Sequence, residues 1–256
     1  MKQRTKALLA AVISGAAFAG LVGGLIFWLP SYKEKKEMEA IKPQESQNTV
    51  APPMGEPEAT PDPAAEEAAQ RTKYADLIAR NPEFAGWIEI PGVDIDLPIL
   101  QTTDNYFYLY HDLDRADDKR GMPFADYECD MKNGRHIILY GHNMKNLSMF
   151  GSLKKYKTED FYKDHQFFTI YTSECAYRYQ IFAYYDVPET DEVYTVGFAP
   201  DDTFQKFIDK MKQKSYDDTG VNVTKDDHIM TLSTCSTTGK RFVVHAVRIG
   251  EHALEK

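Results

Sequence analysis

The sequence predicts a mostly β fold in which about eight short strands close, or nearly close, into a barrel. Short apolar runs separated by Gly, Pro, Asn and Asp recur from residue 86 to residue 250. Helical periodicity is confined to segments that precede these runs or are inserted among them. One much longer apolar run near the N-terminus predicts a single membrane-spanning helix ahead of the folded domain.

The N-terminal apolar run, Ala7–Leu29, has 23 residues without a charge. As a helix it would be roughly 35 Å long, enough to cross a bilayer. A cleaved signal peptide is the alternative, because its basic leader would look the same as residues 1–6. We favour a retained anchor, since the run continues past the small residues Ala17–Ala19, and Trp28 and Tyr32 suit the membrane interface. Residues 1–6 are then cytoplasmic, and the C-terminal part lies outside.

Residues 30–63 are predicted to form a flexible linker. Six prolines fall between Glu37 and Pro63, among Glu, Gln, Ser and Ala residues that have little apolar surface to bury. The folded domain, residues 64–256, opens with a predicted helix, Ala64–Arg80, that ends at Asn81-Pro82. The apolar side of this helix is predicted to carry Ala68, Tyr74, Leu77 and Ile78.

The remaining elements follow from the spacing of apolar residues and turn signals. The predicted strands are Trp87–Ile90, Ile95–Leu100, Arg135–Tyr140, Phe167–Tyr171, Tyr177–Val187, His228–Cys235 and Arg241–Ile249. The predicted helices are Asp104–Tyr110 and Asp202–Lys214, the second with Phe204, Phe207, Ile208 and Met211 at i, i+3, i+4 and i+7.

Composition excludes several classes of function. A net charge of −9 without a basic stripe argues against nucleic-acid binding. No glycine-rich phosphate loop and no zinc spacing is present, so we expect no cofactor and no metal. The acidic segment Asp112–Asp118 resembles part of a calcium loop, but Asp117 stands where that loop needs glycine. Three cysteines do not make a complete disulfide framework; Cys129 and Cys175 either pair or stay as separate thiols.

Cys235 is the candidate nucleophile. It ends a predicted strand and is followed by a polar turn, so it should lie at a rim, although many free cysteines are simply small core residues. Ser233 and Thr231 share its face of the strand. Arg241 opens the next strand, and the two strand ends lie near each other if the strands form a hairpin.

His142 is the candidate partner among seven histidines. It directly follows an apolar strand and Gly141, whereas a capping role in the loop is the alternative. His245 shares a face with Arg241 but lies too far along the strand, so we expect it to pack. Arg241 either pairs with an acidic loop or stabilises an oxyanion formed when a thiolate attacks a carbonyl. No Asp or Asn stands out to orient His142, which favours a Cys-His-Arg arrangement over a triad of the papain type.

Several motifs, taken in order, resemble the class B sortases. They are Trp87-Ile88-x-Ile90-Pro91-Gly92, Gln101-Thr102-Thr103-Asp104-Asn105-x-x-Tyr108-Leu109, Tyr140-Gly141-His142-Asn143-Met144, Met149-Phe150-Gly151-x-Leu153, Thr231-Leu232-Ser233-Thr234-Cys235 and Arg241-Phe242-Val243-Val244-His245. The resemblance covers about residues 71–250 and includes the insertion with the helix before the cysteine strand.

The resemblance implies an eight-stranded sortase-type barrel anchored outside the membrane of a Gram-positive bacterium. Cys235 would attack a threonyl carbonyl in the sorting signal of a secreted protein and form a thioacyl intermediate. His142 would be the general acid and then the general base, and Arg241 would hold the signal and the oxyanion. The acceptor would be an amine of a peptidoglycan precursor or a pilin lysine.

The substrate contacts that the family implies are Asn105, Leu109, Tyr140, Thr190, Tyr194 and Ser233. Core packing is the alternative for Leu109 and Tyr194. The turn from Cys235 to Arg241 is short and Ser236 follows the cysteine where some class B members carry an acidic residue, which bears on the acceptor side of the pocket. Two other functions stay open at this point: a thiol endopeptidase with water as the acceptor, and a tethered binding module with Cys235 buried.

Overall fold

The computed structural model describes residues 74–158 and 160–253. The predicted cytoplasmic residues 1–6, membrane helix 7–29 and linker 30–63 lie outside the described residues, as does the first part of the predicted helix Ala64–Arg80. Within the described ranges, no helix combines the length and the apolar character that crossing a bilayer requires.

Eight strands close into a barrel, which confirms the predicted mostly β fold. The strands are β1 (Phe84–Ile90), β2 (Ile95–Leu100), β3 (Phe124–Ala125), β4 (His136–Tyr140), β5 (Phe167–Tyr171), β6 (Cys175–Pro188), β7 (Ile229–Cys235) and β8 (Lys240–Ala253). Their order around the barrel is β1-β2-β3-β4-β7-β8-β6-β5. Neighbours are antiparallel except for β2 with β3 and β4 with β7, which are parallel.

The β1–β2 hairpin shows how turn chemistry sets the register. Ile90 pairs with Ile95, and Gly92 in the turn between them has φ +85°. A side chain at Gly92 would also meet the imidazole of His165 at about 2.1 Å, so only glycine fits. Trp87 on β1 is 2% exposed, and its indole N–H donates to Asp96 across the hairpin.

The first two predicted helices of the domain differ from the observed ones, one in its buried side and one in its length. The helix α1 (residues 74–80) ends at Asn81 as expected, but Ile78 is 39% exposed and lies off the buried side that holds Tyr74 and Leu77. The predicted helix Asp104–Tyr110 is only a 3₁₀ turn, Phe107–Leu109. The Asp104 carboxylate accepts the N–H groups of Tyr106 and Phe107. These local bonds favour a turn at residues 104–107 over a helix that begins at Asp104.

The inserted helix lies where the sequence predicts it. The helix α3 (Asp202–Lys214) follows the short α2 (Phe161–Asp164) in the chain, and Asp201 caps its first turn by accepting from Thr203 and Phe204. Its buried face carries Phe204, Phe207, Ile208 and Met211. These side chains join one core cluster with β6, β7 and β8, so the helix covers the sheet beside the strands that carry Cys235 and Arg241.

Among the described residues, four short elements have no counterpart in the sequence-based prediction. They are β3, α2 and the 3₁₀ helices Gly151–Lys157 and Glu192–Tyr194. Three of them are too short to show a periodic pattern, since β3 has two residues, Glu192–Tyr194 three and α2 four.

Candidate active site

The β7–β8 hairpin brings the predicted nucleophile and the predicted cation together. Cys235 and Arg241 are direct partners in the antiparallel ladder, so their side chains leave the same face with Cβ atoms about 5 Å apart. Gly239, with φ +70°, lets the intervening turn close. Cys235 is an exposed free thiol, which contradicts the alternative in which it fills the core.

The parallel pairing of β4 with β7 brings His142 next to the end of β7, where Cys235 lies. Tyr140 pairs with Ser233, and two contacts continue the pairing beyond the strand end. The Gly141 N–H donates to the Ser233 carbonyl at 3.1 Å, and the Asn143 side-chain amide donates to the Cys235 carbonyl at 2.5 Å. His142, between these two contacts, is therefore held beside the end of the cysteine strand.

The imidazole of His142 is partly exposed and has a defined partner. Its Nε2 lies 2.8 Å from the Leu109 carbonyl oxygen. A carbonyl oxygen only accepts, so Nε2 carries a proton and Nδ1 is left to exchange one. Tyr110 lies beside it, with ring centroids 6.3 Å apart. The group that orients His142 is thus a main-chain carbonyl, which no side-chain motif reveals.

The loop after His142 is closed by its own contacts. The Phe150 N–H donates to the His142 carbonyl at 3.0 Å, and Asn143 forms a bridge with Met149. The buried ring of Phe150 lies where a side chain at Gly141 would be, with a closest approach of 2.6 Å. Glycine at 141 therefore allows the close packing that fixes the main chain at His142.

Arg241 has the acidic partner that the sequence left open. A guanidinium nitrogen of Arg241 lies 2.8 Å from a carboxylate oxygen of Glu189, in the turn that follows β6. Both side chains are partly exposed, at 32% and 50%. Sequence reasoning did not identify Glu189, because only the alignment of Val187 with Arg241 across β6 and β8 brings it near.

Four of the predicted substrate contacts form one connected wall. The hydroxyls of Tyr194 and Ser233 are 3.1 Å apart, and the Tyr194 ring stacks on Tyr140 with centroids 6.2 Å apart. Tyr140 and Asn105 both donate to the same oxygen of Asp126, each at 2.8 Å. Burial raises the pKa of Tyr194, and burial together with Asp126 raises the pKa of Tyr140, so both phenols stay protonated.

Asp126 joins this wall, although no pattern in the sequence singles it out. It is 6% exposed, directly follows β3, and its other oxygen accepts the N–H of Glu128. Leu109 joins the site through its carbonyl and is only partly buried, which disfavours a pure packing role. Thr190 lies in the exposed turn next to Glu189.

The other residues considered from the sequence lie elsewhere. Cys129 is a buried free thiol, and Cys175 is a partly buried one, so the two do not form a disulfide. The acidic segment Asp112–Asp118 pairs with basic side chains, Asp114 with Arg80 and Asp118 with Arg120. In the described part of the chain, no group of three His, Cys, Asp or Glu side chains is arranged to hold a metal ion.

Comparison with known proteins identifies consistent relatives. A family model for the sortase domain matches residues 88–249. Sortase B of Staphylococcus aureus (strain NCTC 8325 / PS 47) is 36% identical over 181 residues, covering 69% of this chain and 74% of that protein. A solved Staphylococcus aureus sortase B–substrate complex has a TM-score of 0.66 and 34% identity, covering 70% of this chain and 87% of that chain. A sortase B complexed with triglycine has a TM-score of 0.66 and 33% identity, covering 72% and 87%.

Proposed function

Because this chain belongs to the sortase family, as one of the class B cysteine transpeptidases, we propose that it cleaves a C-terminal sorting signal of secreted proteins and transfers the acyl group to an amine. The observation that carries the proposal is that a thiol, an imidazole and a guanidinium group lie next to one another at one rim of the barrel. Cys235 pairs directly with Arg241, and contacts on both sides of His142 hold that residue to the end of β7.

In the first half-reaction Cys235 is the nucleophile. Its sulfur gives up its proton to Nδ1 of His142 and forms a bond to a carbonyl carbon of the signal, a threonyl carbonyl by the family resemblance, while the C=O π electrons move to the oxygen. Arg241, which pairs with Cys235 across β7 and β8, stabilises the negative charge that develops on the carbonyl oxygen. His142 protonates the departing amine nitrogen, so that the C–N bond breaks and a thioester to Cys235 remains.

In the second half-reaction an amine displaces the sulfur. Its nitrogen loses a proton to His142 as it attacks the thioester, the C–S bond breaks, and the thiol is restored. An amine of a peptidoglycan precursor or a pilin lysine would be the acceptor. The triglycine complex of a related sortase B supports an amine-bearing acceptor of this kind.

The signal-peptide pocket would be lined by the wall of Asn105, Tyr140, Tyr194 and Ser233. Leu109 would lie beside His142, and Thr190 at the outer edge of the pocket. Hydroxyl and amide groups along this wall suit hydrogen bonds to an extended peptide. The related sortase B–substrate complex supports peptide binding in this fold.

We further place the catalytic domain outside the cell, anchored by residues 7–29. The uncharged apolar length of that run, followed by a proline-rich linker at 30–63, supports a tether that holds the domain off the membrane. Membrane fractionation of the full chain, compared with a chain starting at residue 64, tests this; equal recovery in the soluble fraction would contradict it.

The reaction is tested by incubating the full chain with candidate sorting-signal peptides that carry threonine at the scissile bond, with and without triglycine. We expect an acyl adduct on Cys235 in the intact mass and a ligated product when triglycine is present. Cys235→Ala should form neither, whereas Cys175→Ala, the matched control, should form both. No adduct with any peptide would contradict the proposal.

A thiol endopeptidase remains the second candidate because Cys235 is exposed, so water reaches the thioester. The same incubation separates the two functions. Hydrolysis at a rate that no amine changes, with no ligated product, would favour the endopeptidase.

A further inference from the structure

Three buried polar side chains on neighbouring strands form a line beneath the candidate site. His136 on β4, Thr231 on β7 and His245 on β8 are each at most 1% exposed. The Thr231 hydroxyl lies 2.7 Å from Nε2 of His136 and 2.8 Å from Nδ1 of His245. The proposed mechanism uses none of the three.

The hydrogen bonds in this line all donate in one direction, from His245 through Thr231 and His136 to Thr195. Nδ1 of His136 lies 2.7 Å from the Thr195 carbonyl oxygen, which only accepts, so Nδ1 carries the proton. Burial lowers the pKa of His136 to about 4, so the neutral ring has no second proton and Nε2 accepts from the Thr231 hydroxyl. The Thr231 oxygen then accepts from Nδ1 of His245, whose pKa burial also lowers.

The line ends at the segment that carries Tyr194. Thr195 terminates the 3₁₀ turn Glu192–Tyr194, and Tyr194 contacts both Ser233 and Tyr140. The side chains of Glu192 and Asp191 pair with Lys210 and Lys214 on α3. The exposed Lys210–Glu192 pair contributes little, whereas Asp191 is largely buried and accepts the N–H of Val193 at the start of the turn. The part-buried bond from His136 is the corresponding directional hold at the C-terminal end of the turn.

Burying this much polarity has a cost that packing alone would avoid. Nε2 of His245 is buried and has no hydrogen-bond partner among the described residues, which destabilises the folded state. An apolar side chain at 245 would remove that penalty. What the histidine adds is a proton donor that fixes the direction of the Thr231 hydroxyl, and through it the tautomer of His136.

We propose that His136 is a positioning residue for the transpeptidation proposed above: by donating to Thr195 it sets the place of Tyr194, and hence the wall of the signal-peptide pocket beside Ser233. Thr231 and His245 hold His136 in the tautomer that can donate. His136 does not touch the substrate, so its effect should pass through Tyr194.

The matched pair His136→Asn and His136→Gln tests this in the full chain. The Asn amide nitrogen can take the place of Nδ1 and keep the bond to Thr195, whereas the Gln amide reaches toward Thr231 instead. We expect Gln to raise KM for a signal peptide about three- to tenfold, with little change in kcat, and Asn to stay near the parent, because the bond to Thr195 is lost only in Gln. Equal KM values for the two variants would overturn the proposal.

A second readout does not depend on activity. Amide hydrogen exchange at residues 192–195 should be faster in His136→Gln than in the parent, and unchanged in His136→Asn. If the exchange differs as expected and no peptide is acylated, the positioning role stands and the proposed function fails. If exchange in this turn is the same in all three proteins, the positioning role is wrong whatever the activity.

Thr231→Val and Thr231→Ser supply the same comparison should the His136 variants fail to fold. Valine removes the hydroxyl at nearly constant volume, and serine keeps it. We expect faster exchange at residues 192–195 and a higher KM for Val than for Ser. In a Tyr194→Ala background the difference in KM should vanish; its persistence there would show that the line acts by another route.

Discussion

At the scale of single residues, the guanidinium of Arg241 is already paired before any substrate binds. Its contact with Glu189 at 2.8 Å is partly exposed on both sides, so it contributes little to stability and can be exchanged at little cost. Glu189 follows β6, which flanks β8 on the side opposite β7, so this contact draws the guanidinium away from Cys235 rather than toward it. We therefore expect a bound substrate to replace Glu189 as the partner of Arg241.

Arg241→Lys tests whether the forked shape of the group matters beyond its charge. A lysine ammonium is a point charge and cannot donate two parallel hydrogen bonds. We expect kcat/KM for acyl-enzyme formation to fall about 100-fold, the loss typical of removing one oxyanion donor. Arg178→Lys, on the exposed side of β6, is the control and should stay within about twofold. Near-normal activity of Arg241→Lys would mean that positive charge alone is sufficient.

The three cysteines should differ in their reaction with iodoacetamide at pH 8. Cys235 is exposed and should be alkylated first, and the partly buried Cys175 more slowly. Burial raises the pKa of Cys129 to about 12, so only about one thiol in 10⁴ is ionised at that pH. Peptide mass mapping follows each site. Cys129 should react only after unfolding in guanidinium, and its alkylation in the native protein at the rate of Cys235 would contradict this burial.

At the scale of elements, the site depends on the hydrogen bonds that join the end of β7 to the loop after β4, which carries His142. The parallel pair β4–β7 is extended by the bonds from Gly141 to Ser233 and from Asn143 to Cys235. The loop then returns to His142 through Phe150. A side chain held on both sides in this way loses little further entropy when substrate binds, which favours catalysis.

Gly141→Ala should disturb this loop because the added methyl group would lie about 2.6 Å from the fully buried ring of Phe150. Overpacking of this kind costs about 1–3 kcal/mol of unfolding free energy, and the shift of His142 should lower kcat/KM by about tenfold or more. Gly250→Ala on β8 is the matched control, since nothing lies within 4 Å of its new methyl group. Urea unfolding and acylation rates measure the two effects. Equal stability of the two variants would show that the loop yields freely.

At the scale of the whole molecule, the fold buries two uncharged imidazoles on the side of the sheet that α3 covers. His136 and His245 are fully buried beside aromatic rings, His136 near Phe207 and His245 near Tyr185. The folded protein therefore resists protonating them. The unfolded chain has no such restraint, so folding and proton binding are linked.

This linkage predicts that the protein loses stability on mild acidification. The pKa of His136 is about 4 in the folded state against 6.5 when unfolded, so below pH 6.5 the unfolded state binds more protons. The contribution is complete above pH 6.5 and is lost as the pH falls toward 4, by about 3 kcal/mol for His136 alone, with His245 acting in the same direction. Urea unfolding between pH 7 and 4.5 measures it.

His136→Asn, which has one titrating imidazole fewer, should show a shallower dependence over the same range. The carboxylates whose pKa values are lowered, such as Asp186 beside Lys157 and Asp118 beside Arg120, act below pH 4 and do not overlap with this window. Unfolding free energies that stay constant from pH 7 to 4.5, or that fall equally in the variant, would contradict the assignment to His136.

The sequence alone determined the features that rest on local pattern. Alternating apolar residues located seven of the eight strands, and β5 and α3 have the predicted bounds because cap, period and turn residues lie within the segment itself. The polar turn after Cys235 likewise indicated an exposed thiol at a strand end. The motifs from Tyr140 to Arg241 identified the family.

Only the tertiary structure decided which distant residues meet. The parallel pairing of β4 with β7 joins Tyr140 to Ser233 across 93 positions, and no local period encodes such a register. The same applies to Asp126 after the two-residue β3, to Glu189 opposite Arg241, and to the carbonyl of Leu109 beside His142. Local conformation depends on neighbours in the chain, whereas these contacts depend on closing the barrel, which brings the ends of several strands and the loops beside them to one rim.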